Sequence, residues 1–201
     1  MDRAALRTQL RAARRAMRAD VRAELQQQAQ QHLGQWLAGR QDHHIAGYRA
    51  CGSELDLTPV FAAVLERGTA LYLPAVIDRQ RCHMVFRRWH GDPQALRPDA
   101  QGIPAPTADA EEIAPAVLDL VLVPGLGFDS AGHRLGSGAG YYDRAFAFRR
   151  AEPAPPILLG CGFVAQRSAL LDAAVWDVRM DALLDEGGIQ LVLAADAPPR
   201  G

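Results

Sequence analysis

The sequence predicts a single α/β domain: an open, mainly parallel sheet with helices on both faces. Three observations carry that prediction. Strand-like and helix-like segments alternate along the chain, which favours parallel strands joined by helices. The run Leu118–Val123 is apolar apart from Asp119 near its start, as in a strand buried on both faces. The chain has 201 residues, 49% hydrophobic and 22% charged, enough for one large core and incompatible with a disordered or fibrous protein. No repeat or linker divides it. Residues 1–201 therefore read as one domain, with a helical segment over residues 1–40 packed on the α/β body.

Each element has a local cause. Arg3, Arg7, Arg11, Arg14, Arg18 and Arg22 recur every three or four residues and so share one face of a first helix. Leu6, Leu10, Ala13 and Met17 form a weakly apolar stripe beside them. The arginine ridge is expected to be a solvated face, with Arg3 and Arg7 as exceptions. A second helix runs from Asp20, its N-cap, to Leu37. Ile45–Ala50 reads as a strand. Thr58 caps a third helix, with Pro59 in its first turn and Gly68 at its end. Ala70–Leu73 is a short strand stopped by Pro74, and Met84–Trp89 is another. Residues 91–116, rich in proline, aspartate and alanine, form a long irregular connection. Gly140–Arg149 reads as a helix and Ile157–Leu159 as a further short strand.

Composition removes several function classes. All 22 basic residues are arginine, which excludes Schiff-base lysines, a GxxxxGK[ST] phosphate loop and a kinase-type strand lysine. The formal charge of −1 argues against nucleic acid as a partner, although seven arginines crowd into residues 1–22. No apolar run reaches the ~20 residues that cross a bilayer, so no membrane partner is expected. Cys51, Cys82 and Cys161 form no CxxC pair and read as reduced thiols of a cytoplasmic protein. The amino terminus lacks the apolar core of a secretory signal. It is arginine-rich and acid-poor like an organellar import signal, but free of serine. His43 and His44 are adjacent, so on a strand they face opposite ways and cannot easily share a metal ion.

Chemistry concentrates in Leu118–Arg144, LDLVLVPGLGFDSAGHRLGSGAGYYDR. This segment passes from the buried strand through a glycine-dense loop into a helix. Ligands of open α/β sheets bind beyond the carboxyl ends of such strands. Six glycines lie between Gly125 and Gly140, and Gly136, Gly138 and Gly140 alternate just before Tyr141 and Tyr142. Residues without a β-carbon let backbone amides approach an anion, and the following helix offers unpaired amides and a positive dipole end. Arg134 adds a planar cationic fork suited to phosphate oxygens. Asp143, in the first helical turn, could meet a magnesium ion held by nucleotide phosphates. Together these residues describe a site for a polyphosphate with its metal. Each also has a plainer role: Asp143 as a helix cap, the tyrosines as core aromatics, and Asp129 as the first residue of a type I turn that leaves His133 exposed.

The stretch Pro124–Asp129 followed by Arg134–Arg144 closely resembles the 5-formyltetrahydrofolate cyclo-ligase family. Sparser similarity covers nearly the whole chain: Arg3–Arg7 resembles the family's basic ATP-binding opening, Ser53–Asp56 with Pro59 its folate-side segment, and Gly160–Phe163, Gln166 and Trp176–Asp177 its closing portion. The resemblance implies a scaffold like that of sugar-phosphate isomerases and CoA transferases. It also implies an ATP- and magnesium-dependent ring closure of 5-formyltetrahydrofolate to 5,10-methenyltetrahydrofolate through a phosphorylated formyl group. Carried over residue by residue, Arg3, Ala4, Ala5, Leu6 and Arg7 contact ATP. So do Arg134, Leu135, Gly136, Ser137 and Gly138, with Ala139, Gly140, Tyr141 and Tyr142. Arg134 and Tyr142 take the catalytic roles. The stretch Ser137, Gly138, Ala139, Gly140 and Tyr141 also borders the folate, with Arg49 and with Glu54, which accepts hydrogen bonds from the pterin. Asp143 and Asp177 match the magnesium positions. A monomer acting on two small molecules is implied.

Several residues depart from the family pattern: Arg3 replaces a usual lysine, Leu57 a common threonine, and Ala105 a common glutamate. Ala139 stands where glycine or lysine is usual, and would strain the loop if that position required a positive φ. Two alternatives follow. One is a folate- or nucleotide-binding protein without turnover; the other is a sugar-phosphate or CoA-transferase-like enzyme on the same scaffold.

Overall fold

The computed structural model describes residues 2–192. Helices α1 (Arg3–Ala16) and α2 (Ala19–Ala38) lead into strand β1 (His44–Ala46), helix α3 (Thr58–Glu66) and strands β2 (Ala70–Asp78) and β3 (His83–Arg88). Three two-residue strands follow: β4 (Arg97–Pro98), β5 (Pro104–Ala105) and β6 (Glu112–Ile113). Next come β7 (Leu120–Pro124), the small hairpin β8 (Gly127–Phe128) and β9 (Arg134–Leu135), and helix α4 (Tyr141–Ala145). The described chain closes with β10 (Ile157–Cys161), β11 (Ala182–Asp185) and β12 (Gly188–Leu191).

Eight strands form the main sheet in the order β12-β11-β10-β7-β1-β2-β3-β6. The pairs from β11 to β2 are parallel; β12, β3 and β6 add antiparallel edges. The sheet is thus mainly parallel and covered on both faces, as the sequence predicts. In β7, Leu120 and Leu122 enter the core on the α2–α3 side, while Val121 and Val123 enter the core under α4. That alternation is why the strand reads as uninterrupted apolar sequence.

Several elements differ from expectation for identifiable reasons. β2 runs through Pro74 to Asp78 instead of stopping. Its partner β1 ends at the Ala46–Tyr72 pair, so no strand on that side needs the missing N–H. β1 is only three residues long; after it the chain turns into the site. Arg18, not Asp20, stands at the N-cap of α2, and Asp20 lies in the first turn. Thr58 opens α3 from inside, and Asp56 Oδ1 accepts its N–H at 2.9 Å. The expected helix Gly140–Arg149 is a five-residue α4 followed by a 3-10 turn at Ala147–Arg150. So short a helix adds little dipole. The connection 91–116 supplies an edge strand and folds back onto β2, where Asp99 Oδ2 accepts the N–H of Val76 at 2.9 Å.

The strand order reverses between β1 and β7, which creates a switch point at their carboxyl ends. Crevices in open α/β sheets form at such points.

Candidate active site

Two clefts meet at this switch point. The first, of about 430 Å³, lies between the loop after β1, the loop after β7 and the connection containing Asp99 and Gln101. Its walls include Tyr48, Arg49, Glu54, Ile103, Pro124 and Tyr142. The second, of about 550 Å³, lies between the start of α1, α4 and the loop at Trp176 and Asp177. Gly136, Ala139 and Gly140 line both, so the glycine loop is their common wall. Ser137 faces the first cleft and Gly138 the second.

The loop is shaped for an anion. Gly138 and Gly140 have φ of +122° and +72°, conformations that a β-carbon disfavours. Ala139 between them is not in that region, so the expected strain at alanine does not arise. Among the described residues, the amide N–H groups from Gly136 to Tyr142 find no acceptor in the protein. A row of free backbone donors is a site for phosphate oxygens. The second cleft also carries Arg3, Arg7, Arg144 and Arg150 against only Asp143 and Asp177. Arg144 and Arg150 were not anticipated; their positions in α4 and the turn after it become meaningful only once the short helix is seen.

The arginines are anchored in ways that leave donors free. Arg7 donates from Nε to the carbonyl of Gly136 at 3.0 Å. Arg3 pairs with Asp177 at 2.8 Å, and Arg134 Nη2 donates to Asp143 Oδ2 at 2.9 Å. The Nε groups of Arg3 and Arg134 are both buried without a partner. Orphaned cationic donors beside a cleft call for an anion. The Arg134 guanidinium lies 5.5 Å from the centre of the Tyr142 ring. Burial pushes the Tyr142 hydroxyl well above the ordinary phenol range, so it stays protonated.

Asp143 does not cap α4; its Oδ1 accepts the N–H of Val178 at 3.2 Å, and Gly140 stands at the cap position. Asp177 Oδ2 accepts the N–H of Ala174 at 2.9 Å as well as the Arg3 pair. The two carboxylates line one cleft, and among the described residues no group of three or more His, Cys, Asp or Glu side chains gathers into a cage. Two hard oxygen donors beside a phosphate cradle fit magnesium, which takes one or two carboxylates and completes its shell with phosphate and water.

The remaining sequence-predicted residues divide by position. Leu6 packs on Leu10, Leu135 and Leu171 in a small cluster that docks α1. Ala4 and Ala5 lie on the outer, exposed side of α1 and line neither cleft. Arg49 lines the first cleft, donates to Thr58 Oγ1 at 3.2 Å and lies 6.0 Å from the Trp89 ring centre. Glu54 is not the exposed loop acid of the plainer reading: Oε2 accepts the N–H of Cys51 at 2.9 Å, and the side chain lines the first cleft. Tyr141 meets the Gln101 side chain at the mouth of that cleft. The arginine ridge is corrected too. Ala13 is exposed, whereas Arg14 is 7% exposed and Arg11 lines the first cleft. Asp129 does open the turn to Gly132, whose N–H it accepts at 3.0 Å. His133 packs partly buried against it, with Nδ1 at 3.0 Å from the carboxylate.

A family model described as the 5-formyltetrahydrofolate cyclo-ligase family matches residues 1–186. The Escherichia coli K12 protein named 5-formyltetrahydrofolate cyclo-ligase is 27% identical over 143 residues, covering 71% of this chain and 77% of that one. The Haemophilus influenzae protein of the same name is 26% identical over 146 residues, covering 72% and 76%. The solved structure of Aquifex aeolicus 5,10-methenyltetrahydrofolate synthetase superposes with a TM-score of 0.81 at 28% identity, covering 100% of this chain and 97% of that one.

Proposed function

The chain belongs to the 5-formyltetrahydrofolate cyclo-ligase family, and from that premise we propose that it closes 5-formyltetrahydrofolate to 5,10-methenyltetrahydrofolate, driven by ATP and releasing ADP and phosphate. The observation that carries this assignment to the site is the shared wall. One glycine loop faces both the basic cleft at α1 and α4, suited to a triphosphate, and the first cleft, whose walls carry Tyr48, Tyr141 and Tyr142 and suit a flat ring system. A terminal phosphate in one and a formyl group in the other would meet across Gly136, Ala139 and Gly140.

The chemistry explains why the two must meet. A formamide oxygen is a poor leaving group. Transfer of the γ-phosphoryl group to that oxygen converts it to phosphate. The neighbouring amine nitrogen then attacks the formyl carbon, the carbon–oxygen bond breaks, phosphate departs with the former formyl oxygen, and the amine proton is released. No protein nucleophile is needed; alignment and charge neutralisation suffice.

Arg3, Arg7 and the amides of residues 136–142 would hold the triphosphate. Arg134, supported by the face of Tyr142, lines the first cleft and is paired with Asp143 of the second; it would neutralise charge on the transferring phosphoryl group. Tyr142, kept protonated by burial, is a neutral donor beside it. Ser137 and Tyr141 would border the folate, with Arg49 and Glu54 farther along the cleft; Glu54 would accept the pterin N–H groups. Asp143 and Asp177 would hold magnesium, which when bound supplies positive charge to the phosphate oxygens. Leu135 fixes the hairpin from which the loop springs, and Ala4, Ala5 and Leu6 serve as the scaffold that presents Arg3 and Arg7. The chain is read as one domain, because its first helix completes a site built on the body. It is read as a cytoplasmic monomer, because one chain furnishes both clefts and its three cysteines are free.

The test is to mix the protein with 5-formyltetrahydrofolate, magnesium and ATP and follow near-ultraviolet absorbance of the methenyl product. Absorbance should rise only when ATP is present. Nucleotide binding without product would instead define a binding protein.

A further inference from the structure

Arg14 is the arginine of α1 that sequence periodicity misplaces. It is 7% exposed and lines the first cleft. Its Nε donates to Ser53 Oγ at 3.1 Å and its Nη1 to the carbonyl of Gly125 at 3.4 Å. Nη1 also lies 3.8 Å from Glu54 Oε1. Ser53 and Glu54 belong to the loop after β1, and Gly125 to the loop after β7. Arg14 therefore pins together the two loops that flank the switch point, from a third element. Its desolvation is opposed chiefly by the charge of Glu54. Docking of α1 does not require this, since Leu10 already packs on Leu135 and Leu171. A buried guanidinium is an expensive way to fill space where an apolar side chain would serve.

We propose that Arg14 is a positioning residue for the folate cleft. It fixes the Glu54 carboxylate, whose Oε2 is tied by the Cys51 N–H, so that this acid faces the bound ring system in one orientation. The inference rests on the reading that Glu54 receives the pterin. Arg14 acts on the ligand through Glu54 and has no part in holding nucleotide.

The test is a double-mutant cycle on binding of 5-formyltetrahydrofolate without ATP, with ATP affinity measured in parallel. Glu54→Gln and Arg14→Met are each expected to weaken folate binding about tenfold, and the double variant to be no weaker than Glu54→Gln alone. ATP affinity in Arg14→Met should stay within about twofold of the parent, because neither Arg14 nor Glu54 lines the nucleotide cleft. Arg14→Lys keeps a cation near Glu54 and should recover part of the folate affinity; it also carries the cycle if Arg14→Met does not fold. Losses that multiply in the double variant, or folate and ATP affinity falling together, overturn the proposal in favour of a purely structural arginine. If Glu54→Gln weakens binding and Arg14→Met does not, the proposal fails alone. If Glu54→Gln binds like the parent, the Glu54 assignment fails and takes the proposal with it.

Discussion

Asp143 shows how a single residue can be legible in kind and misread in detail. Its place after a glycine loop marks it as functional, yet the obvious local role, capping α4, is one it does not play. The carboxylate reaches Arg134 and Val178 instead, contacts that no spacing rule reveals because Val178 is 35 residues away. Asp143→Asn keeps an acceptor for the Val178 N–H but takes the counter-charge from the buried Arg134, so its cost in stability should be about 2 kcal/mol. Magnesium-dependent turnover should fall by roughly 100-fold, since the lost carboxylate is one of the two proposed to hold the metal against the phosphates. Thermal melting and kcat measured side by side check this; equal losses in both would return Asp143 to a structural role. Asp129 makes the opposite case, a structural acid. Burial raises its pKa, but the N–H groups of Leu171 and His133 and the His133 ring outweigh that and bring it below the ordinary 3.8. A carboxyl with a lowered folded pKa contributes stability above its ordinary value and loses it as pH falls through the lowered one. Asp129→Asn should therefore be less stable than the parent at neutral pH, and denaturant titrations should show the gap narrowing as pH falls below 3.8.

At the scale of elements, α1 is the decisive one, because a helix outside the sheet delivers Arg3 and Arg7 to the cleft proposed for nucleotide and Arg14 to the other. Its arginine periodicity was plain in the sequence, but periodicity alone cannot say which face meets the body. The weak stripe through Ala13 pointed slightly to the wrong side; the packed positions are Leu6, Leu10 and Arg14. Leu10 sits so close to Gly127 that a β-carbon there would come within 2.6 Å of it. Leu10→Ala should cost about 2 kcal/mol, the low end for a core leucine because its cluster is small. The KM for ATP should rise more than the KM for folate, as Arg3 and Arg7 lose their mooring. Steady-state kinetics with each substrate varied in turn checks this. Gly140→Ala addresses the glycine loop: an alanine at φ +72° is strained by about 1 kcal/mol, and loop and activity should suffer together. Circular dichroism and turnover measured on one preparation separate this from unfolding. β2 carries the complementary lesson. Proline stops a strand only where a neighbour needs its N–H, and whether a neighbour exists is a tertiary fact.

For the whole molecule, the central sheet was legible because β7 is buried on both faces and writes that into its sequence as an unbroken apolar run. The edges were not. β6 and β11 are short and pair with strands more than twenty residues back in the chain, and β12 is only a four-residue hairpin partner of β11. The site's general position followed from the strand–loop–helix signal, while its division into two clefts with a common wall depends on the reversal of strand order between β1 and β7. If the proposed reaction is right, this wall lets a terminal phosphate reach a formyl oxygen. The direct measurement uses 5-formyltetrahydrofolate carrying oxygen-18 in the formyl group, with ATP and magnesium, and mass analysis of the released phosphate. One labelled oxygen per phosphate, matched to methenyl product formed, is the predicted result. Unlabelled phosphate with the heavy oxygen recovered in water, or product formed without ATP, would contradict it.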